Sequence, residues 1–288
     1  MLKKKKIIVS GAKGFIGYSL IKHLSTFNDI VAIDNLLHAP NSDEVTDVRY
    51  IDIGVSEAIN ELKGEEFDIF FHFGEYSRVE QSVAEPMTAF ENSSASILKI
   101  LNFCSSKNIK LIYSGSSTKF ASYTDNNESP YAIFKRHNTE IINMYAKLSD
   151  LNYAITYFYN VYGPDESDDP KYGTVIKKYP DLVRSGQKKL PVTLPGSQKR
   201  NFTHIADTVS ALMLIAEKGS GDGFGICASE SYSILEVVNL LNCEAEWFSA
   251  KVGNRDGAVD MSLKTKALGW KQSYTLEKFL KEQLDEIQ

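Results

Sequence analysis

The chain has 288 residues, 43% hydrophobic and 24% charged, an ordinary globular composition that argues against long disorder and leaves ample length for a buried core. Lys and Arg number 32 against 37 Asp and Glu, a formal charge of −5, whereas a domain that grips nucleic acid carries a basic surplus, so nucleic acid is not the expected partner. Three scattered cysteines (Cys104, Cys227, Cys243), odd in number and without a CxxC pair, fit neither a disulfide framework nor a structural zinc site and read as small buried side chains.

The chain opens on Met1-Leu2 and Lys3 to Lys6, and the apolar stretch that follows is only Ile7-Ile8-Val9. That is too short for a signal peptide, and no apolar run approaches the ~20 residues that span a bilayer. The lysine run reads as a solvated terminus, and the expectation is a cytoplasmic, soluble protein with no membrane partner.

Strand patterns occupy Ile7–Ser10, Ile30–Asp34, Val48–Ile51, Phe67–His72, Lys110–Ser114 and Tyr153–Phe158, with helical patterns at Phe15–Leu24, Ser94–Ser105 and Tyr131–Leu148. Near-continuous apolar strands alternating with helices imply a parallel sheet buried on both faces. The fold class is therefore α/β, a Rossmann-type doubly wound parallel sheet. After Gly163-Pro164 the chain turns acidic and irregular, with helical patterns at Ala206–Glu217, Ser233–Leu241 and Leu276–Glu286. The expected division is a sheet domain over 1–163, rejoined by about 202–228, and a smaller lobe over 164–288. Trp247 and Trp270 read as core. His204, in an apolar stretch, reads as a packed or capping histidine rather than a base.

Three groups of residues carry chemistry. Gly11-Ala12-Lys13-Gly14-Phe15-Ile16-Gly17 stands between a strand and a helix, where glycines let the backbone turn tightly and approach a pyrophosphate at the helix N-terminus. Asp34 ends the second strand, and a carboxylate there accepts hydrogen bonds from both adenosine ribose hydroxyls and repels a 2′-phosphate, favouring NAD over NADP. Tyr131 and Lys135, four residues apart, share a face of one helix. A tyrosine is too weak an acid to serve as a base at neutral pH unaided, and a nearby ammonium with a positive nicotinamide favours its phenolate. Ser114 to Thr118, a hydroxyl cluster at the C-terminal end of the fifth strand, lies where ligands of such sheets bind, and Ser116 is suited to orient a substrate hydroxyl.

Together these residues resemble the extended short-chain dehydrogenase/reductase family, and within it the nucleotide-sugar epimerases acting at C4 of UDP-glucose or UDP-N-acetylglucosamine. Asp52-Ile53 resembles the family's adenine-contacting pair, and Phe71-His72-Phe73-Gly74 its strand end below the nicotinamide. Val79, Ser82, Pro86 and Asn92 fall at its spacing. Tyr157 to Pro164 is similar to its "RYFNVYGP" stretch, Gly196 to Asp207 to "GxQxRDFxHVxD", and the segments around Arg255 and Ser262–Trp270 to its closing motifs. The resemblance runs in order along nearly the whole chain. It implies NAD as cofactor, held by Gly11, Gly14, Phe15, Ile16, Gly17, Asp34, Asn35, Asp52, Ile53, Phe73, Gly74, Asn92, Ser114, Tyr131, Lys135 and Phe158. It implies catalysis by Ser116, Tyr131 and Lys135, and a nucleotide sugar, a UDP-sugar by closest likeness, held by Ser116, Ser117, Asn160, Arg200 and Arg255. It also implies a homodimer paired through helices, with the sugar nucleotide bound in the 164–288 lobe.

The chain departs from the family around the sugar. Phe120-Ala121 stands where an aromatic and a glycine are usual, only 15 residues separate Ser116 from Tyr131, and Ser77-Arg78 precedes Val79 where some epimerases place a lysine. The segment after Arg255 is short. Nucleotide-sugar 4,6-dehydratases and reductases share the fold, and a non-catalytic NAD-binding sensor is an alternative of another class. In the dehydratases an Asp-Glu pair follows the hydroxyl residue. Here those positions are Ser117 and Thr118, so only a carboxylate from elsewhere, such as Glu75 or Glu80, would stand in.

Overall fold

The computed structural model describes residues 2–37, 43–120, 128–167, 173–249, 257 and 259–285. Strands and helices alternate through the first half: β1 (Lys6–Ser10), α1 (Phe15–Leu24), β2 (Asp29–Ile33), β3 (Arg49–Ile51), α2 (Val55–Glu61), β4 (Ile69–His72), α3 (Val79–Ala84), α4 (Pro86–Ser93), α5 (Ile97–Ser106), β5 (Lys110–Ser116), α6 (Pro130–Leu148) and β6 (Tyr153–Phe158). These strands and Gly221–Ile226 form one seven-stranded sheet in the spatial order Gly221–Ile226, β6, β5, β4, β1, β2, β3. Every neighbouring pair is parallel, as the near-continuous apolar runs demand.

Successive side chains of a strand point to opposite faces, so one strand feeds two cores. Ile8 packs with Phe70, Leu111 and Tyr113 on one side of the sheet, while Ile7 and Val9 pack with Leu20, Ile21 and Leu212 on the other. All three β1 residues are fully buried, each contributing roughly 1.5–3 kcal/mol relative to exposure. The chain runs outward from β1 through β2 to β3, then returns to the other side of β1 with β4. Loops leaving the C-terminal ends of β1 and β4 therefore diverge, and the crevice between them is where ligands of doubly wound sheets bind.

A third and smaller core, with Tyr179, Val192, Val237 and Leu280, also takes in Tyr162 and Phe202, and the part of the chain around it is called the smaller lobe below. It gathers the helices Val175–Arg184, Ile234–Leu240 and Leu276–Asp285 around a two-stranded parallel ribbon of Lys189–Thr193 and Glu244–Phe248. Trp247 corrects the sequence reading. It is 49% exposed, because the ribbon strand that carries it pairs on one side only and is exposed along most of its length. Trp270 is buried and donates its indole N–H to the Asp207 carbonyl at 3.0 Å. Cys104 and Cys227 are buried, whereas Cys243 is half-buried. Among the described residues no helix is long and apolar enough to cross a membrane.

Candidate active site

One cavity of about 890 Å³ opens at the C-terminal ends of the strands and runs from the glycine turn to the smaller lobe. At its first end the backbone makes the site. Gly11 has φ +69°, and a Cβ there would lie 2.7 Å from the Phe73 carbonyl carbon. A Cβ on Gly17 would lie 2.1 Å from the Gly11 oxygen. Both contacts are impossible for any other residue, so the turn can press against β4 and α1 only with glycine. Gly14 caps α1, which has no side-chain cap and no acidic residue in its first turn. Phe15, Ile16 and Gly17 thus present the first-turn N–H groups and the positive end of the helix dipole at the cavity wall.

Asp34, at the end of β2, is held by two backbone donors: Lys13 N–H to Oδ2 and Leu36 N–H to Oδ1, both at 2.9 Å. Each carboxylate oxygen keeps a second lone pair for a ribose hydroxyl. Asn35 donates to Asn92 Oδ1 at 2.7 Å, and both line the cavity beside Ile53. Asp52 does not line it; its carboxylate turns to the Lys13 ammonium at 3.1 Å. Phe73 and Gly74 follow β4, and Phe73 meets Phe158 edge to face with centroids 5.8 Å apart. A glycine cradle that a Cβ would fill, an uncapped helix start and a fixed carboxylate fit a dinucleotide.

In the middle of the cavity β5 and α6 meet. Ser129 caps α6 by accepting from Ala132 N–H, and Pro130 occupies its first position, so the helix starts one residue before Tyr131. Tyr131 and Lys135 then face the wall that carries Ser114, Ser116 and Ser117. The Lys135 ammonium donates to the Ser114 carbonyl at 2.7 Å and lies 3.2 Å from the Ser114 hydroxyl. Its third neighbour is Glu75 Oε2, at 2.7 Å. Glu75, one of the two carboxylates named above as able to stand in for an acid or base, lines the cavity with its carboxylate turned to the lysine. Burial works against its charge, yet Lys135 and His72 outweigh that and hold the carboxyl below the usual range. Ser117 and Thr118 are buried hydroxyls, and Glu80 is exposed at the rim.

The far end is built from side chains. Asn160, at φ +35°, donates to the Asn201 carbonyl at 3.0 Å, and Arg200 lines the same stretch. Two residues not singled out by their side chains in the sequence join them, Arg78 and Glu166. Glu166 is 8% exposed and accepts from Thr174 N–H at 2.5 Å; burial pushes its carboxyl up, and Thr174 and Arg78 offset part of the rise. Arg255 and Ala121 lie outside the described residues. His204 caps the helix Ile205–Lys218 by accepting from Ala206 N–H and stacks on Tyr274 with centroids 4.1 Å apart. Burial pulls its pKa down to about 4, consistent with a neutral packed ring. Among the described residues no cluster of His, Cys, Asp and Glu is arranged to hold a metal.

A family model described as the NAD dependent epimerase/dehydratase family matches residues 7–227. An ADP-L-glycero-D-manno-heptose-6-epimerase from Brachyspira hyodysenteriae is 26% identical over 82% of this chain and 80% of its own. A UDP-glucose 4-epimerase from Lactobacillus helveticus is 24% identical over 93% and 92%. The crystal structure of a UDP-glucose 4-epimerase from Thermotoga maritima superposes with a TM-score of 0.88 at 21% identity, covering 97% of each chain. That likeness speaks for the fold.

Proposed function

The chain belongs to the NAD dependent epimerase/dehydratase family, and from that premise we propose that it epimerises a nucleotide sugar at C4, the sugar being a UDP-hexose or UDP-N-acetylhexosamine. The observation that carries this reading is the middle of the cavity. A phenol, an ammonium and a serine hydroxyl line one wall there, and the two positions after Ser116 hold hydroxyls that do not titrate near neutral pH. That set suffices to move one proton at one hydroxyl. An elimination across C5 and C6 needs further acid and base groups beside the sugar.

NAD, when bound, supplies reversible hydride acceptance. The glycine turn and α1 hold its pyrophosphate, and Asp34 its adenosine ribose. Tyr131 takes the C4 hydroxyl proton and returns it, Ser116 orients that hydroxyl, and Lys135 favours the phenolate and faces the nicotinamide ribose. With NAD supplying that acceptance, a 4-keto sugar would be the transient species, and it would have to turn over in the cavity for the C4 hydrogen to be returned to its other face. Asn160, Arg200 and Arg255 hold the sugar nucleotide, the arginines by charge-assisted contacts with its diphosphate. The 1–163 segment with 202–228 forms the NAD-binding unit, and 164–288 supplies the sugar-nucleotide lobe.

The outer sides of α4 and α6 leave Met87, Phe90, Ile133 and Met144 exposed, and Phe90 meets Phe134 edge to face across the two helices. Two such helices from a second copy would cover this apolar face as a homodimer.

Incubation with UDP-sugars in heavy water tests the reaction. The expected product is the C4 epimer with no deuterium at C5 and an intact C6 hydroxyl. A 4,6-dehydratase is the second reading, favoured by one observation: Glu166 is a cavity-lining carboxyl raised by burial, a usable proton donor. A 4-keto-6-deoxy product, or deuterium at C5, would replace the epimerase reading with that one.

A further inference from the structure

Glu75 is a conspicuous group in the cavity that the reaction does not use. It follows β4 in the loop at the sheet edge, and its side chain is 1% exposed. Four side chains from three elements converge on its carboxylate. Oε2 receives the Lys135 ammonium at 2.7 Å and the Tyr113 hydroxyl at 2.9 Å. Oε1 receives the Asn138 amide at 3.1 Å and faces His72 Nε2 at 3.5 Å. The surroundings are fixed in turn: Asn138 also donates to the Ser93 carbonyl, and His72 Nδ1 lies 2.6 Å from the Ser10 hydroxyl. An acid placed so firmly, paired with a lysine one helical turn from Tyr131, is a built feature rather than a surface charge that folded inward. Leaving it buried without its partners would be costly.

We propose that Glu75 is a positioning residue: its carboxylate holds the Lys135 ammonium against Ser114 and cancels the charge of that ammonium beside Tyr131. The inference rests on the reading of Tyr131 as the group that exchanges a proton with the sugar. An ammonium has three N–H donors, and those of Lys135 point at the Ser114 carbonyl, the Ser114 hydroxyl and Glu75. Its place on the wall is thereby set before any ligand arrives. The Lys135–Glu75 pair carries no net charge, so the help Lys135 gives the phenolate is weakened, and the charge of whatever lies against Tyr131 at the nicotinamide end decides more of how easily it loses its proton. With a positive ring there the phenolate is favoured, and with a neutral ring the phenol is. Such a phenol gives up its proton when the sugar is to be oxidised and recovers it afterwards.

The titratable and charged groups on the elements packed against Tyr131 and Lys135 include His72 from β4, Glu75 from the loop after it and Tyr113 from β5, with Arg78 and Glu80 at the start of α3 and Glu91 on α4 lining the same cavity. Tyr113 is pushed well above the ordinary tyrosine range by burial and by Glu75, so it stays out of a moderate alkaline titration. The Tyr131 signal is therefore accessible as the tyrosinate ultraviolet absorbance that disappears in a Tyr131→Phe partner, compared at each pH in the chain without added ligand. Glu75→Gln keeps the shape of the carboxylate and an oxygen for Lys135 and Tyr113 but removes the charge. The expected result is that the Tyr131-dependent midpoint falls by about one pH unit or more, because the ammonium is no longer cancelled. Glu75→Asp keeps the charge and draws it back by one methylene, so the midpoint should fall by less; it carries the test alone if the Gln variant does not fold. A midpoint that stays put or rises, in Gln or, failing that, in Asp, overturns the proposal. Neither sugar nor turnover enters this measurement. A chain that passes it yet epimerises no UDP-sugar breaks the functional reading and leaves the charge pairing standing.

Discussion

The two ends of the cavity are made of different materials. The end we assign to the dinucleotide is backbone: a turn at φ +69°, a helix start without a cap, strand ends that stop in register, and one carboxylate pinned by two amides. The far end, which we assign to the sugar, is side chains, with Arg78, Asn160, Glu166 and Arg200 lining it from separate segments of the chain. A backbone site tolerates little, since Gly17 has an oxygen 2.1 Å from where a Cβ would stand. A side-chain site can be rebuilt one residue at a time without disturbing the sheet. This is a physical reason a fold of this kind can keep one cofactor and change its sugar, and the relatives named above carry different sugar nucleotides in their names.

The largest effect should come where the two ends meet. Tyr131→Phe deletes one hydroxyl and keeps the ring, so α6 and its Ser129 cap stay in place. Turnover of the UDP-sugar substrate should fall by roughly 10²–10⁴-fold, the range of a general acid–base group, while the NAD that co-purifies stays within about twofold of the parent. Both quantities are read on one preparation, by product formation and by nucleotide released on denaturation. Turnover within a few-fold of the parent would move the proton transfer to another residue. Loss of NAD alongside turnover would mean that the two ends are not separable at this position.

That boundary is also where the sequence stops being legible. The sheet, the glycine turn, the place of Asp34 and the shared helix face of Tyr131 and Lys135 can be read because each depends on local pattern: continuous apolar runs, glycines at fixed spacing, two residues one helical turn apart. Helix boundaries moved by one to three residues, as with α5, which runs Ile97–Ser106 rather than starting at Ser94. The helix Val175–Arg184 was hidden by Pro180 inside it, although its burial of Ile176 and Tyr179 holds it against the lobe. Trp247 was misplaced because nothing local reveals that its strand has a partner on one side only. The same applies to Glu75. It stands beside Gly74 in sequence, but its four partners lie on β4, β5 and α6, and only the folded sheet brings them within hydrogen-bond reach.

A smaller effect is expected at the dinucleotide end. Asp34 confronts the place where a 2′-phosphate would sit, and both its oxygens are already oriented by Lys13 and Leu36 amides, so it cannot easily swing away. Like charges a few ångströms apart at a protein surface repel by about 1–4 kcal/mol, which predicts a preference for NAD over NADP of at least about fivefold. Titration of the stripped protein with each nucleotide measures this directly. Asp34→Ser should shrink the preference and leave the Tyr131-dependent chemistry otherwise intact with NAD. Equal affinities in the parent would remove Asp34 from the recognition of the cofactor.

An effect of similar size should come from the sugar end, and it sharpens the contrast most. Arg200 lines the far stretch of the cavity on the short strand Lys199–Asn201, next to Asn201, whose carbonyl receives the Asn160 amide. If Arg200 grips the diphosphate of the sugar nucleotide, Arg200→Ala removes a charge-assisted hydrogen bond worth about 1.5–3 kcal/mol. Because that contact lies away from the reacting carbon, it holds ground state and transition state alike. The loss should therefore appear as a KM for the UDP-sugar raised by roughly ten- to a hundredfold with kcat within about threefold. NAD retention should be unchanged, since the glycine turn, α1 and Asp34 lie at the other end of the cavity. A fall in kcat at constant KM would place Arg200 among the groups that act on the reacting sugar, and the division between a backbone-built cofactor end and a side-chain-built binding end would have to be redrawn at that residue.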